Sequence, residues 1–162
     1  MHGVFMKIFD TGVMITGASG SGKSETALTL LDRGHALISD DLVAFTKTTD
    51  DCILGQCPSK TLYGYLHHRE LGLLPITKLF GERSVTSKHN LKLIIQLEKK
   101  IAHAQVASEL VYGTQKILGI EIITLPLPAS AHKNLALLIE LSVKNLHLQS
   151  HENVDNTAFT TT

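Results

Sequence analysis

The sequence predicts an α/β fold, and three observations carry that expectation. Val13 to Thr16 is a short apolar, β-branched run, Gly17 to Ser24 (GASGSGKS) is a glycine-rich loop, and Ser24 to Arg33 (SETALTLLDR) is rich in helix formers. An antiparallel hairpin precedes them, since Val4 to Ile8 is a second strand candidate joined to the first through Asp10-Thr11-Gly12. Further along, Leu91 to Leu97 and Glu121 to Leu125 read as strands and residues 134–147 as a helix. At 162 residues and 43% hydrophobic content the chain suits one domain with a real core.

Each element has a local reason. A turn centred near Asp10-Thr11 makes cross-strand partners sum to about 21, which puts His2 opposite Ser19 and beside the loop. The other reading of His2 is a frayed terminus without a role. In the first helix Ala27, Leu28, Leu30 and Leu31 share one face, and Gly34 stops it. His35 to Ser39 predicts a short buried strand ending in Asp40-Asp41. Thr46 to Cys57 reads as a hairpin or surface loop, and Leu62 to Pro75 as a partly mobile active-site segment that carries Arg69. Ile76 to Gly81 fits a helical turn, while Lys99 to Lys116 has helix formers but also Gly113. Pro126 to Lys133 reads as a loop, after which Asn134 caps a helix whose Leu135, Leu138, Leu141 and Leu146 form the buried side. The domain is expected to occupy residues 1–148, and the polar, repetitive residues 149–162 to form a disordered tail.

The loop has the pattern G-x-x-x-x-G-K-[ST] with the strand and helix it requires on either side. Gly17, Gly20 and Gly22 permit the conformations that turn successive backbone N–H groups, including those of Ala18, Ser19 and Ser21, toward one anion. The helix dipole adds positive potential at the same point. The motif therefore predicts a bound nucleoside triphosphate, with Lys23 reaching the β- and γ-phosphates and the Ser24 hydroxyl ligating Mg²⁺. Asp40 and Asp41 lie seventeen and eighteen residues past Lys23. A carboxylate there can order Mg²⁺ or take a proton from an attacking hydroxyl; the alternative is a helix or turn cap.

Composition excludes several classes. The formal charge is zero and the pI near 7, so the chain lacks the basic field that non-specific nucleic-acid binding needs. No apolar stretch approaches membrane-spanning length and the amino terminus lacks a leader pattern, so a cytoplasmic protein with no membrane partner is expected. Cys52 and Cys57 have no second pair at finger-like spacing and read as reduced thiols. His67 and His68, as neighbours in an extended segment, are expected on opposite faces.

MHGVF, GVMITGASGSGKSETALTLLDRGHALISDDLV, LFGERSV, ILGIEI and NLALLIELSVKN stand in the order and spacing of HPr(Ser) kinase/phosphorylase. The chain resembles the carboxy-terminal catalytic domain of that family over nearly its whole length, in a short form that lacks the amino-terminal domain of longer members. The resemblance implies a P-loop kinase domain on a mixed sheet, similar to the nucleotide-binding part of phosphoenolpyruvate carboxykinase and typically hexameric. It implies that ATP and Mg²⁺ are used to phosphorylate a serine of HPr, the phosphocarrier of the sugar phosphotransferase system. It also implies the phosphorolytic reverse, in which inorganic phosphate leaves as pyrophosphate. By position, Lys23 matches a catalytic charge, Ser24 a magnesium ligand, Asp41 the proton acceptor that becomes the donor in reverse, and His2 a catalytic histidine; Arg69 is retained.

Three positions depart from the family pattern. LHHRELG stands for LEIRGLG, so His67 replaces a carboxylate that ligates magnesium. Ala107 stands at the catalytic arginine of YDRLG, and PASAHKNLA puts Lys133 where PVRPGRNLA has a fork-shaped arginine. These departures keep two other readings open, a nucleotide- or pyrophosphate-binding regulator without turnover and a kinase with another substrate.

Overall fold

A computed structural model describes residues 1–99, 112–131 and 134–158. Its centre is an eight-stranded mixed sheet. The strands are β1 (Val4–Ile8), β2 (Thr11–Gly17), β3 (Ala36–Ser39), β4 (Ala44–Lys47), β5 (Ile53–Gln56), β8 (Lys88–Glu98), β9 (Gly113–Ile117) and β10 (Ile120–Pro128). Strands β6 (Tyr65–His68) and β7 (Gly72–Pro75) form a separate antiparallel hairpin. The main path runs β3-β1-β2-β8-β10-β9, with β2, β8 and β10 mutually parallel, β1 antiparallel to both β2 and β3, and β9 antiparallel to β10. The β4–β5 hairpin joins along the first half of β8.

Strand alternation builds two cores from one sheet. Val13, Ile15, Leu93, Ile95, Leu125 and Leu127 face the helices α1 (Lys23–Asp32) and α3 (Leu135–Ala158). Met14, Ile94, Phe5, Ile38 and Ile122 face the other way, toward Ile53 of β5. Helix α1 buries Ala27, Leu30 and Leu31 as expected, and ends where Gly34 takes a left-handed φ of 95° and returns its N–H to Leu31. A short helix α2 (Ile76–Phe80) confirms the helical turn expected after Pro75.

Several sequence expectations are corrected. The turn between β1 and β2 is Phe9-Asp10, both at positive φ (45° and 60°), so partners sum to 19 (Ile8 opposite Thr11) rather than 21. Phenylalanine is a poor resident of such a turn, and tertiary contacts hold it there. Its ring meets His35 edge to face at 4.8 Å and lies under the Lys144 ammonium at 5.0 Å. Asp10 is held by Lys7 and His89.

The loop expected from Pro126 is the end of β10. Among the described residues that strand is paired with β8 alone beyond Thr124, since β9 begins at Gly113 opposite Thr124, and a proline is tolerated where one side lacks a partner. Helix α3 runs to Ala158, through ten of the residues expected in a tail. No glycine or proline interrupts it after Pro128. Its buried side is Leu135, Ile139 and Val143, with Leu138 and Leu146 partly covered and Leu141 exposed. The ambiguous segment from Lys99 becomes β9 at Gly113, and residues 100–111 lie outside the described residues.

Candidate active site

The phosphate loop leaves the carboxyl end of β2 and enters α1, as the motif requires. Gly22 is the N-cap with φ 96° and offers no side-chain cap, so the first-turn N–H groups of α1 face outward without a protein acceptor of that kind. Gly17 is fixed by crowding, because a Cβ there would stand 2.6 Å from Ser21 Oγ and 3.0 Å from Leu97. The Ser21 hydroxyl is itself fully buried and has no hydrogen-bond partner among the described residues. The Lys23 ammonium donates to the carbonyls of Gly17 (2.8 Å) and Ala18 (3.1 Å), which folds it back onto the start of the loop.

Strand β3 delivers the two carboxylates beside this loop. Ser39 Oγ donates to the Leu42 carbonyl at 2.6 Å and Leu42 N–H to the Asp40 carbonyl at 2.8 Å. Between them Asp41 adopts a left-handed φ of 66°, and this tight turn sends the paired carboxylates to different surroundings. Asp41 is exposed. Asp40 is partly buried and accepts the His67 N–H at 2.7 Å through Oδ2.

Burial pushes the Asp40 carboxyl above its ordinary range, against the opposing effect of the N–H groups of His67 and Asp41. A carboxyl whose folded pKa is raised subtracts stability as pH rises through that pKa, and the loss is absent below the unfolded value. Asp40→Asn is therefore expected to raise the thermal midpoint at pH 7 while leaving it unchanged at pH 3. A midpoint that falls at pH 7 would contradict this.

His2 reaches the site by a route different from the one expected. It pairs across an isolated bridge with Leu42 rather than along β2, with Gly3 N–H donating to the Asp41 carbonyl at 3.0 Å. The Met1 and Val43 backbones exchange two further bonds at 2.9 Å. His2 Nδ1 thereby lies 3.9 Å from Asp41 Oδ1, with both side chains more than four-fifths exposed.

The β6–β7 hairpin closes the other side. His67 and His68 do alternate, His67 exposed and His68 12% exposed. His68 Nδ1 accepts the N–H groups of Glu70 and Leu71, which leaves the proton on Nε2, 3.6 Å from Glu25 of α1. Ser24 Oγ donates to the His67 carbonyl at 3.2 Å. Nothing in the sequence signals this backbone contact, because a peptide group is the same at every residue.

Arg69 sits at the exposed tip of the hairpin and makes no hydrogen bond or ion pair among the described residues. His2, Lys23, Ser24, Asp40 and Asp41 thus ring one end of the sheet, while Arg69 is not brought into contact with them. Ala107 and Lys133 lie outside the described residues. Cys52 and Cys57 are free thiols, and no helix among the described residues is long and apolar enough to cross a membrane.

The family model for the HPr serine kinase C-terminal domain matches residues 1–161. The chain is 40% identical over 151 residues to an HPr kinase/phosphorylase of Aromatoleum aromaticum and 44% identical over 150 residues to one of Bordetella avium. Each match covers 92% of this chain and 48% of the relative, so the chain spans about half the length of these curated relatives. The structure of the HPr(Ser) kinase/phosphatase from Coxiella burnetii superposes with a TM-score of 0.91 at 34% identity, covering 100% of this chain and 98% of that one. The family match over nearly the whole chain and the close superposition together show that the chain belongs to the HPr serine kinase C-terminal domain family.

Proposed function

We propose that this domain transfers the γ-phosphoryl group of ATP to a serine of an HPr-like phosphocarrier protein, and in reverse removes it by phosphorolysis. The observation that carries the reading is the grouping of an uncapped phosphate loop with Lys23, Ser24, Asp41 and His2 at one end of β2 and β3.

The residues present fit a polyphosphate with a divalent cation. The open helix end and the glycines at positions 17, 20 and 22 offer backbone donors, and the orphaned Ser21 hydroxyl shows that the loop carries unspent polarity. Among the described residues no three of His, Cys, Asp and Glu converge as a metal cage. That suits Mg²⁺, which keeps most of its waters and takes one or two protein ligands beside phosphate oxygens. Ser24 is the first of these, and Asp40 stands next to it through the shared His67 peptide. When bound, ATP and Mg²⁺ supply the transferable phosphoryl group and neutralise its charge.

The chain's own residues do the rest. Lys23 turns its ammonium from the two loop carbonyls to the phosphates. Asp41, solvent-facing, takes the proton from the acceptor serine hydroxyl as the serine oxygen attacks the γ-phosphorus and the bond to the departing ADP breaks, and His2 positions that carboxylate. In the reverse direction inorganic phosphate attacks the phosphoserine, the phosphorus–serine bond breaks, and Asp41 returns the proton to the serine oxygen as pyrophosphate forms. The same reading carries a cytoplasmic homo-oligomer, six copies by resemblance to the family.

Incubation with ATP, Mg²⁺ and HPr is expected to yield phosphoserine on HPr. Asp41→Asn should lower that rate by about 10²- to 10⁴-fold with nucleotide affinity unchanged. Intact ATP binding without phosphoserine on HPr would favour a binding protein or a kinase for another substrate, and sink the proposal.

A further inference from the structure

The one hydrogen of a serine hydroxyl decides where its lone pairs point. In Ser24 that hydrogen is donated to the His67 carbonyl at 3.2 Å. The N–H of the same residue is donated to Asp40 Oδ2 at 2.7 Å. One backbone residue thus grips two side chains that come from different elements, the start of α1 and the end of β3.

The ladder of the β6–β7 hairpin explains why His67 is free to do this. His67 pairs with Leu73, and its two flanking pairs are Leu66 with Leu74 and His68 with Gly72. Antiparallel pairs alternate between exchanging both backbone bonds and exchanging none. Since the N–H and C=O of His67 point at Asp40 and Ser24, its pair with Leu73 is one that exchanges none. Tyr65 lies two residues away, so its pair with Pro75 is of the same kind, and Tyr65 N–H indeed bonds to Leu62 while Pro75 has no N–H to give. The outer edge of β6 is therefore turned to the phosphate loop. Leu66, fully buried, and the contact of His68 with Glu25 seat the hairpin at that distance.

We propose that the peptide group of His67 is the positioning element of the metal end of this site, orienting the Ser24 hydroxyl and the Asp40 carboxylate together. The inference rests on the nucleotide–metal reading above and adds an outer contact to it. With its hydrogen directed at β6, Ser24 presents its lone pairs to the loop. With Oδ2 engaged, Asp40 presents Oδ1. Outer contacts that orient ligands in this way commonly change metal affinity by about 10- to 100-fold. The role belongs to the backbone, so it survives any side chain at position 67 except one that removes the N–H.

Two variants isolate that donor. His67→Ala keeps the peptide intact, whereas His67→Pro deletes its N–H. The proline breaks no ladder bond, and Leu66 before it is already extended, as a residue before proline must be. Nucleotide affinity is measured for both with and without Mg²⁺. The gain on adding Mg²⁺ is expected to be about 10- to 100-fold smaller in the proline variant, with equal metal-free affinities. Equal gains in the two variants would overturn the proposal.

A second measurement needs neither nucleotide nor a folded proline variant. Exchange of the His67 amide is expected to be slow in the wild type and in Asp40→Asn, which keeps an acceptor oxygen, and at least about tenfold faster in Asp40→Ala. Equal rates in the wild type and Asp40→Ala would overturn the latch itself. Protection that depends on Asp40, in a wild type whose nucleotide affinity ignores Mg²⁺, supports the latch and overturns the functional reading instead.

Discussion

Glu140→Ala is expected to destabilise the fold by about 3–5 kcal/mol, the usual loss when one partner of a buried ionic network is removed. Glu140 lies on α3 with its side chain only 7% exposed. It accepts Arg33 Nε at 2.8 Å and a contact from His35 Nε2 at 2.7 Å, so it ties the end of α1 and the start of β3 to the closing helix. Arg33 is the C-cap of α1, and His35 carries the Phe9 ring that holds the β1–β2 turn. Removing the carboxylate therefore loosens three elements together. Glu140→Gln, which retains acceptor capacity, should lose less. Urea unfolding of the three proteins measures this, and an alanine variant with an unchanged midpoint would be the contrary result.

The same residue sets an acid limit. The Arg33 guanidinium, helped by His35, lowers the Glu140 carboxyl from 4.5 to about 2 although burial opposes the shift. Because the folded value lies below the unfolded one, the stabilisation is fully present above about pH 4.5 and is lost as pH falls toward 2. Its size is about 3 kcal/mol, at 1.36 kcal/mol for each pKa unit. Glu140→Gln should be missing that part of the acid slope.

The second large effect is on turnover. Lys23→Met is expected to lower single-turnover phosphoryl transfer by about 10²- to 10³-fold, the usual loss when one group that stabilises transition-state charge is removed. The thermal midpoint should barely move, because among the described residues the ammonium bonds only to the Gly17 and Ala18 carbonyls of an exposed loop. That separation distinguishes Lys23 from Glu140, where stability changes and the loop is untouched. A methionine variant within threefold of the wild-type rate would remove Lys23 from the chemistry.

What was legible in the chain follows from the range of the interactions that shape it. The strand, loop and helix from Thr11 to Asp32 depend on neighbours in sequence, on glycine conformations and on the alternation of apolar residues, and the structure reproduces them. Strands β8 and β10 were visible for the same reason. The β1–β2 register was not, since Phe9 holds a left-handed turn through contacts with His35 and Lys144, which are remote in sequence. The extent of α3 is hidden in the sequence because residues 149–158 are polar, which resembles a tail, yet contain no glycine or proline to end the helix.

Within the site, the residue types announced themselves and their geometry did not. GASGSGKS and the aspartate pair follow from sequence alone, because phosphate binding needs glycines, a lysine and a hydroxyl at set spacing. The pairing that carries His2 to Asp41, the exposed placement of Arg69, and the different burial of Asp40 and Asp41 came only with the tertiary structure. So did the His67 peptide between Ser24 and Asp40. The physical reason is the same in each case. Local propensity and chemical identity are written residue by residue, whereas register, burial and a backbone group's choice of partner depend on segments that meet only when the sheet has closed.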